Sequence, residues 1–369
     1  MKRILIDVNS TISLFTRGFL AGVGRSTMEL VGALAELDNL PFELHLFTQN
    51  IKGIGRLNLP NTRSHHFYMP LRPTFKNISD RLRLKKHLTG YDLLHIPHNT
   101  DTTEDLPNTI FTIHDLIVYR YPEMWGLTCG ERQEHKRIAN GCRHIITCSE
   151  ASRQDIINFW DVDPSRVTSI PWGINRQMFC PARDDEGMKA LGVTRPFFFC
   201  ASCNHPRKQL PLLLEAYKLY RQRGGTFQLA LLGPKQTELD PYSGLLANGD
   251  IIPCRGVSDS MLNVLYTQAH ATILISLAEG FGFPILESLA CGTQVICSDR
   301  SCMPEVGGDV VDYIRDINPD SLADMLMRYE NTPKQDTLNS DAVEGHLAQF
   351  TWRRCAERYV SIYAKLLGI

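Results

Sequence analysis

The chain has 369 residues, of which 43% are hydrophobic and 21% charged, with a formal net charge of −1. That length exceeds one hydrophobic core and predicts two domains, the composition excludes wholesale disorder, and near-neutrality leaves no global field for nucleic acid or membrane. Eleven scattered cysteines fit a reducing cytosol better than a disulfide framework, the opening "MKRILIDVNST" is too brief for a secretion signal, and no run approaches a membrane span.

Short apolar runs alternate with amphipathic stretches along the chain, the pattern of βαβ units and parallel sheets, so the predicted class is α/β. In the first half, strands are expected at 3–8, 42–47, 92–97, 109–114, 144–149 and 167–172, with helices between them. After the first strand, "GFLAGVGRSTMEL" offers a glycine loop, Gly22-Val23-Gly24, leading into an amphipathic helix. It lacks the full G-x-G-x-x-G and a ribose-binding acid, which argues against a dehydrogenase and leaves a set of backbone donors.

Residues 63–87 hold seven cations, Arg63, Arg72, Lys76, Arg81, Arg83, Lys85 and Lys86, against one acid, Asp80. Phe67, Tyr68 and Phe75 lie nearby, and Ser79 is expected to cap a short helix ending at Gly90, which makes the segment a candidate for an anionic membrane surface. A solvated basic helix face explains the same charges. His114 and Asp115 end the strand 109–114, where a histidine is either a core residue or a substrate contact.

The polar, proline-bearing stretch 175–196 reads as a linker, so domains are expected over 1–174 and 175–350. A second doubly wound domain follows, with strands at 197–202, 227–233, 250–254, 271–275 and 293–298, and a final amphipathic helix at 351–367. Cys200 and Cys203 form an isolated C-x-x-C on a strand, where positions three apart face opposite sides, so packing is expected there rather than a metal.

"SCNHPRKQL" puts Arg207 and Lys208 at the carboxyl edge of the second sheet, beside a helix expected over 208–223. Cations oppose the dipole of a helix N-terminus, and a guanidinium with an ammonium can hold a pyrophosphate, so the pair points to a bound anion. "SLAEGFGFPILESLACG" ends a buried strand at Glu279, bares backbone at Gly280 and Gly282, and starts a helix at Pro284 that carries Glu287 one turn in and stops at Gly292. Helix amides favour a phosphate and Glu287 can accept from hydroxyls. By itself that stretch also fits a surface glutamate, a βα turn and a capped helix.

Together these segments resemble the family-4 retaining glycosyltransferases of GT-B fold, mannosyltransferases in particular. The E-x7-E motif stands as Glu279 and Glu287, and "AGVGRSTMELVGAL", "TIHDL", "TCSEASRQDI", "PWGIN", "PRKQL", "RGVSDSMLNVLYTQA" and "MPEVGGD" are similar in order over nearly the whole chain. The run "SCNHPRKQ" departs from the commoner glycine-containing form.

The resemblance implies two Rossmann-like domains facing across a cleft, with residues 351–369 crossing back to the first. It implies Arg207 and Lys208 on the donor diphosphate, Glu287 on the ribose, and Glu279 with the Phe281-Gly282 backbone on the transferred sugar. Gly22, Val23 and Gly24 would meet the phosphates, the main chain around Val257 the nucleobase, and His114 the sugar beside its anomeric carbon. No metal or other cofactor is implied. The donor is a nucleotide sugar, GDP-mannose first and UDP-sugars next, and the acceptor a saccharide or lipid-linked saccharide in cell-surface polysaccharide synthesis. The expected location is cytoplasmic, at the inner face of the cytoplasmic membrane. A hydrolysing sugar-nucleotide epimerase and an inactive assembly scaffold are the alternatives.

Overall fold

The computed structural model describes residues 1–369 apart from 19, 21, 71, 72, 99–101 and 202–204, so Arg72 and Cys203 lie outside the described residues, as does the side chain of Lys76. The chain divides into two compact units, Met1–Gly173 with Phe350–Ile369, and Ile174–Gln349.

The first unit is built on seven parallel strands: β1 (Lys2–Asp7), β2 (Phe42–Gln49), β3 (Thr62–Phe67), β4 (Leu93–Ile96), β5 (Thr109–Thr112), β6 (His144–Thr147) and β7 (Val167–Ser169). Their spatial order is β3-β2-β1-β4-β5-β6-β7. Ile4 of β1 therefore lies opposite Leu44 on one side and Leu93 on the other. Helices cover both faces, which is why these strands read as continuous apolar runs; Leu5, Leu94, Phe111 and Ile145 meet Ile156 and Trp160 in the core.

The second unit repeats the plan with β8 (Phe197–Cys200), β9 (Gln228–Leu232), β10 (Ile251–Cys254), β11 (Ala271–Leu274), β12 (Val295–Ser298) and β13 (Asp312–Ile314), all parallel, in the order β10-β9-β8-β11-β12-β13. Phe198, Leu229, Ile273 and Ile296 pack under Leu213, Tyr217 and Leu322. In each unit the strand order reverses once, between β1 and β4 and between β8 and β11, and at such a switch point the loops after the two adjacent strands diverge and leave a crevice.

The last helix, Trp352–Leu367, belongs to the first unit and packs on the helix Gly22–Ala35. Thr351 caps it, accepting from Arg354 N at 3.2 Å. Its buried tyrosines satisfy polar groups of the sheet: Tyr363 Oη lies 2.6 Å from His95 Nδ1, Tyr359 Oη 3.0 Å from Thr112 Oγ1, and His95 Nε2 2.8 Å from the same hydroxyl. Where Gly173 passes the start of this helix, a Cβ would stand 2.1 Å from Trp352 N, so only glycine fits.

Three expectations change. Gly22, Val23 and Gly24 are not a loop before a helix but the first turn of Gly22–Ala35. Ser79 is not a cap: it is buried inside the helix Pro73–Arg81, and a left-handed Arg83 separates that helix from Leu84–Thr89. The stretch 175–196 carries a short helix of its own, Asp185–Ala190, begun by the Asp184 side chain, which accepts from Gly187 N.

Candidate active site

In the second unit, β8 and β11 are neighbours, with Phe198 opposite Ala271, so the loops leaving their carboxyl ends meet. The β8 loop brings Arg207 and Lys208 and the β11 loop brings Glu279, 71 positions further on. Lys208 Nζ pairs with Glu279 Oε1, and Arg207 Nη1 lies 2.6 Å from Glu279 Oε2. Arg207 Nη1 also donates to the Ala278 carbonyl at 2.8 Å, and Leu277 N donates to the Arg207 carbonyl at 2.8 Å, so the two loops are sewn together by backbone as well as charge.

Glu279 is fixed from every side. Ser276 Oγ donates to its Oε1 at 2.6 Å and Ser301 Oγ to its carbonyl at 2.9 Å. Only 6% of the residue is exposed, against 7% for Lys208. Burial pushes the Glu279 carboxyl up, but Lys208 and Arg207 outweigh that and hold it below its ordinary value, as a carboxylate.

Arg207 and Lys208 do not sit on a helix as expected. They form a 3-10 turn, Pro206–Lys208, and Gln209, at φ 56°, turns the chain into a separate helix, Leu210–Gln222. The two cations therefore do not oppose a helix dipole, and the anion they face here is the Glu279 carboxylate.

Gly282, at φ 88°, supplies the left-handed turn into the helix Phe283–Ala290, with Pro284 in its first turn. Phe281 is buried edge-on against Phe283. Glu287, on that helix, accepts from Tyr266 Oη at 2.6 Å. Tyr266 rides on the helix Asp259–Gln268, which follows the loop of Gly256 and Val257 at the carboxyl end of β10 and is capped by Ser258. The structure thus joins Arg207, Lys208 and Glu279 directly and holds Glu287 through Tyr266; Val257 lies at the sheet's edge strand.

The first unit places its residues at the carboxyl ends of β1, β4 and β5, the first two of which border its switch point. His98, after β4, has Nε2 3.6 Å from Asp7 Oδ1 at the end of β1. His114, after β5, donates from Nε2 to the Pro97 carbonyl at 3.0 Å, and its ring meets Trp172 edge-on at 4.7 Å. Burial pushes its pKa down to about 4, so it stands neutral with Nδ1 as an acceptor. Gly24 is required by packing, since a Cβ there would come 2.6 Å from the Ser10 carbonyl, whereas one on Gly22 would meet nothing within 4 Å. Val23 is partly exposed and lines a cavity with His98 and His114. Among the described residues no cluster of three or more His, Cys, Asp or Glu side chains is arranged to hold a metal.

Sequence reasoning did not single out Tyr266, Ser276 or His98. The signal for Ser276 was its place three residues before Glu279; Tyr266 reads only as an apolar position of an amphipathic helix.

Comparison with known proteins agrees with this geometry. The Glycosyltransferase Family 4 model matches residues 20–178 and the Glycosyl transferases group 1 model residues 184–341. The O-antigen chain mannosyltransferase B of Escherichia coli is 26% identical over 94% of this chain and 97% of its own. The MMP alpha-(1->4)-mannosyltransferase of Mycolicibacterium hassiacum is 27% identical over 63% of this chain, and the match spans only 56% of that protein. Sucrose-phosphate synthase from Thermosynechococcus elongatus shares the fold with a TM-score of 0.76 at 18% identity, over 100% of both chains. With a glycosyltransferase model on each doubly wound unit and only short gaps outside them, the chain belongs to the family-4 glycosyltransferases of GT-B fold.

Proposed function

We propose that the chain is a retaining, metal-independent hexosyltransferase that moves mannose from GDP-mannose to a saccharide or lipid-linked acceptor in cell-surface polysaccharide synthesis, with UDP-sugars as second choice of donor. The observation that carries this reading is the Arg207–Lys208–Glu279 cluster at the β8/β11 switch point, where open α/β sheets take their ligands. The mannose choice draws on the activities of the E. coli and Mycolicibacterium relatives.

The two cations supply, without a metal, the positive charge that a departing diphosphate needs. In the same reading Glu287 accepts from the ribose hydroxyls, the main chain at Val257 meets the base, and Phe281, Gly282 and Glu279 hold the transferred sugar. The amides of Gly22, Val23 and Gly24 serve the phosphates, and neutral His114 the sugar. The acceptor oxygen attacks the face the diphosphate leaves; its proton passes to the departing phosphate oxygen as the old glycosidic bond breaks and the new one forms.

A thermal-shift panel in EDTA tests donor and metal together. GDP-mannose at 100 times its Kd should add about 2.7 kcal/mol, more than UDP-glucose at equal concentration, and mannosyl transfer should run at full rate in the chelator. A shift with UDP-sugars alone moves the donor to the second choice, and activity that returns only with Mg²⁺ or Mn²⁺ overturns metal independence.

The same reading puts the chain on an anionic membrane face, through fewer charges than the sequence offered. Lys85 is buried in ion pairs with Asp80 and Glu104, and Arg83 and Lys86 lie 3.8 and 3.4 Å from Asp105. What supports contact instead is an exposed apolar row, Phe75, Ile78 and Leu82, beside Arg81. No helix among the described residues is long and apolar enough to cross a membrane. Vesicles rich in anionic lipid should co-sediment the protein, and the double variant Phe75→Ser with Leu82→Ser should release it; retention of the double variant rules this face out.

A further inference from the structure

After the helix Pro319–Glu330, Pro333 leads the chain into a 3-10 turn, Lys334–Asp336, in the second unit. The Lys334 ammonium donates to the carbonyls of Thr267 and Ala269 and lies 3.0 Å from Thr293 Oγ1. Thr267 stands in the last turn of the helix Asp259–Gln268 and Ala269 ends it, so neither carbonyl has a partner within that helix. Thr293 goes with the other helix, Phe283–Ala290: its N donates to the Ser288 carbonyl at 3.0 Å, and Ser288 Oγ donates to the Thr293 carbonyl at 2.9 Å. The three N–H donors of the ammonium thus meet three oxygens from the carboxyl ends of two helices. Among the described residues Lys334 has no carboxylate partner.

Those two helices carry Tyr266 and Glu287, whose side chains meet at 2.6 Å. We propose that Lys334 is a positioning residue for the donor: it fixes the spacing of the two helices and so, through the Tyr266–Glu287 bond, sets the carboxylate that grips the ribose. The proposal rests on the transferase reading. A cation suits the carboxyl end of any helix, but the bond to Thr293 adds nothing to such a cap; what it adds is the link to the helix of Glu287. Burial pushes the Lys334 amine down to about 8. The titratable groups that face it are the Cys291 thiol, after one helix, and the His270 imidazole, after the other. Both are neutral in that range, since burial pushes the thiol up to about 12 and the imidazole below its ordinary value. Once deprotonated, the amine has two N–H donors for three oxygens, so one bond of the tie is lost.

Release of nucleoside diphosphate from GDP-mannose and from UDP-glucose by the full chain, without acceptor, gives a donor KM and kcat and tests this. Lys334→Met, an unbranched apolar side chain, should raise the donor KM about tenfold, the size of one charge-assisted hydrogen bond, and change kcat less than about twofold. In the parent the KM should rise as pH climbs through about 8, and in Lys334→Met it should stay level over the same interval. Lys334→Ala should regain the parent KM with n-propylammonium but not with 1-propanol, which has the shape without the charge. Because Lys334 acts through Tyr266, Tyr266→Phe and Lys334→Met together should raise KM by less than the product of the single effects. A parent-like KM in Lys334→Met, a fall in kcat at unchanged KM, a pH profile shared by both proteins, or equal rescue by 1-propanol overturns the proposal. Failure of the parent to release nucleoside diphosphate from either donor sinks the transferase reading itself, and with it the role given to Lys334.

Discussion

Replacing Glu279 with glutamine should lower stability by about 3–5 kcal/mol and kcat by about 10²-fold, and a nucleoside diphosphate should restore much of the stability. The variant keeps the side chain's shape and its bond from Ser276 but removes the charge that faces Lys208 and Arg207. Lys208 is buried, so its ammonium is left without a counter-ion in low dielectric and beside a second cation, the case in which deleting one partner of a buried pair is most damaging. If those cations are there for a diphosphate, GDP or pyrophosphate can stand in for the lost carboxylate. The melting temperature of Glu279→Gln should then rise more with GDP than that of the parent, while turnover stays low because the sugar has lost its partner. Equal GDP shifts in both proteins would separate the cation pair from the donor and refute the assignment. The pH dependence carries the same sign: a carboxyl held below its ordinary 4.5 contributes stability fully above that value, and the contribution is lost as pH falls through the lower folded value. The variant's deficit should accordingly shrink in acid.

Much of this arrangement was legible in the chain and part was not, for reasons of geometry. Strands such as "RILIDV" and "ATILI" stand out because both faces of a parallel sheet are covered, leaving continuous apolar runs. β3, "TRSHHF", does not, since it is a half-covered edge strand with polar residues on both faces, and β13, "DYI", is three residues long. Arg207, Lys208 and Glu279 could each be assigned to a carboxyl edge, yet nothing in a linear pattern says that β8 borders β11, so their mutual pairing could not be read. The same blindness explains Tyr266, whose hydroxyl looks like one more helix position until Glu287 is brought to it. Lys85 was misread for the converse reason. In a run of cations it has the signature of a solvated face, and only the return of the chain at Glu104 turns it inward.

Lys85→Gln should therefore behave as a core mutation, with a loss of about 3–5 kcal/mol. Lys85 Nζ lies 2.8 Å from Asp80 Oδ1 and 3.0 Å from Glu104 Oε2, and Glu104 has no exposed surface at all. Both carboxylates are otherwise well provided: Thr102 Oγ1 and Thr103 N donate to Asp80 at 2.7 and 2.9 Å, and Lys86 N and Tyr91 Oη donate to Glu104 at 2.9 and 3.3 Å. Those bonds hold the two negative charges in place, so without the ammonium they face each other in a buried site instead of moving apart. For a unit of this size the loss corresponds to a fall in Tm of roughly 6–20 °C. Burial works against the Lys85 charge, but Glu104 and Asp80 overcome it and raise the group above its ordinary 10.5; the contribution is complete below that value and disappears only as pH climbs through the higher folded one. Arg81, exposed on the neighbouring helix, is the control, and Arg81→Gln should change stability by no more than about 0.5 kcal/mol. Neutralising the acids with Lys85, as Asp80→Asn, Glu104→Gln and Lys85→Met together, should recover most of the loss, because a buried polar group without charge needs only its hydrogen bonds. A Lys85→Gln protein that melts with the parent in denaturant titration would place this lysine back among the surface cations.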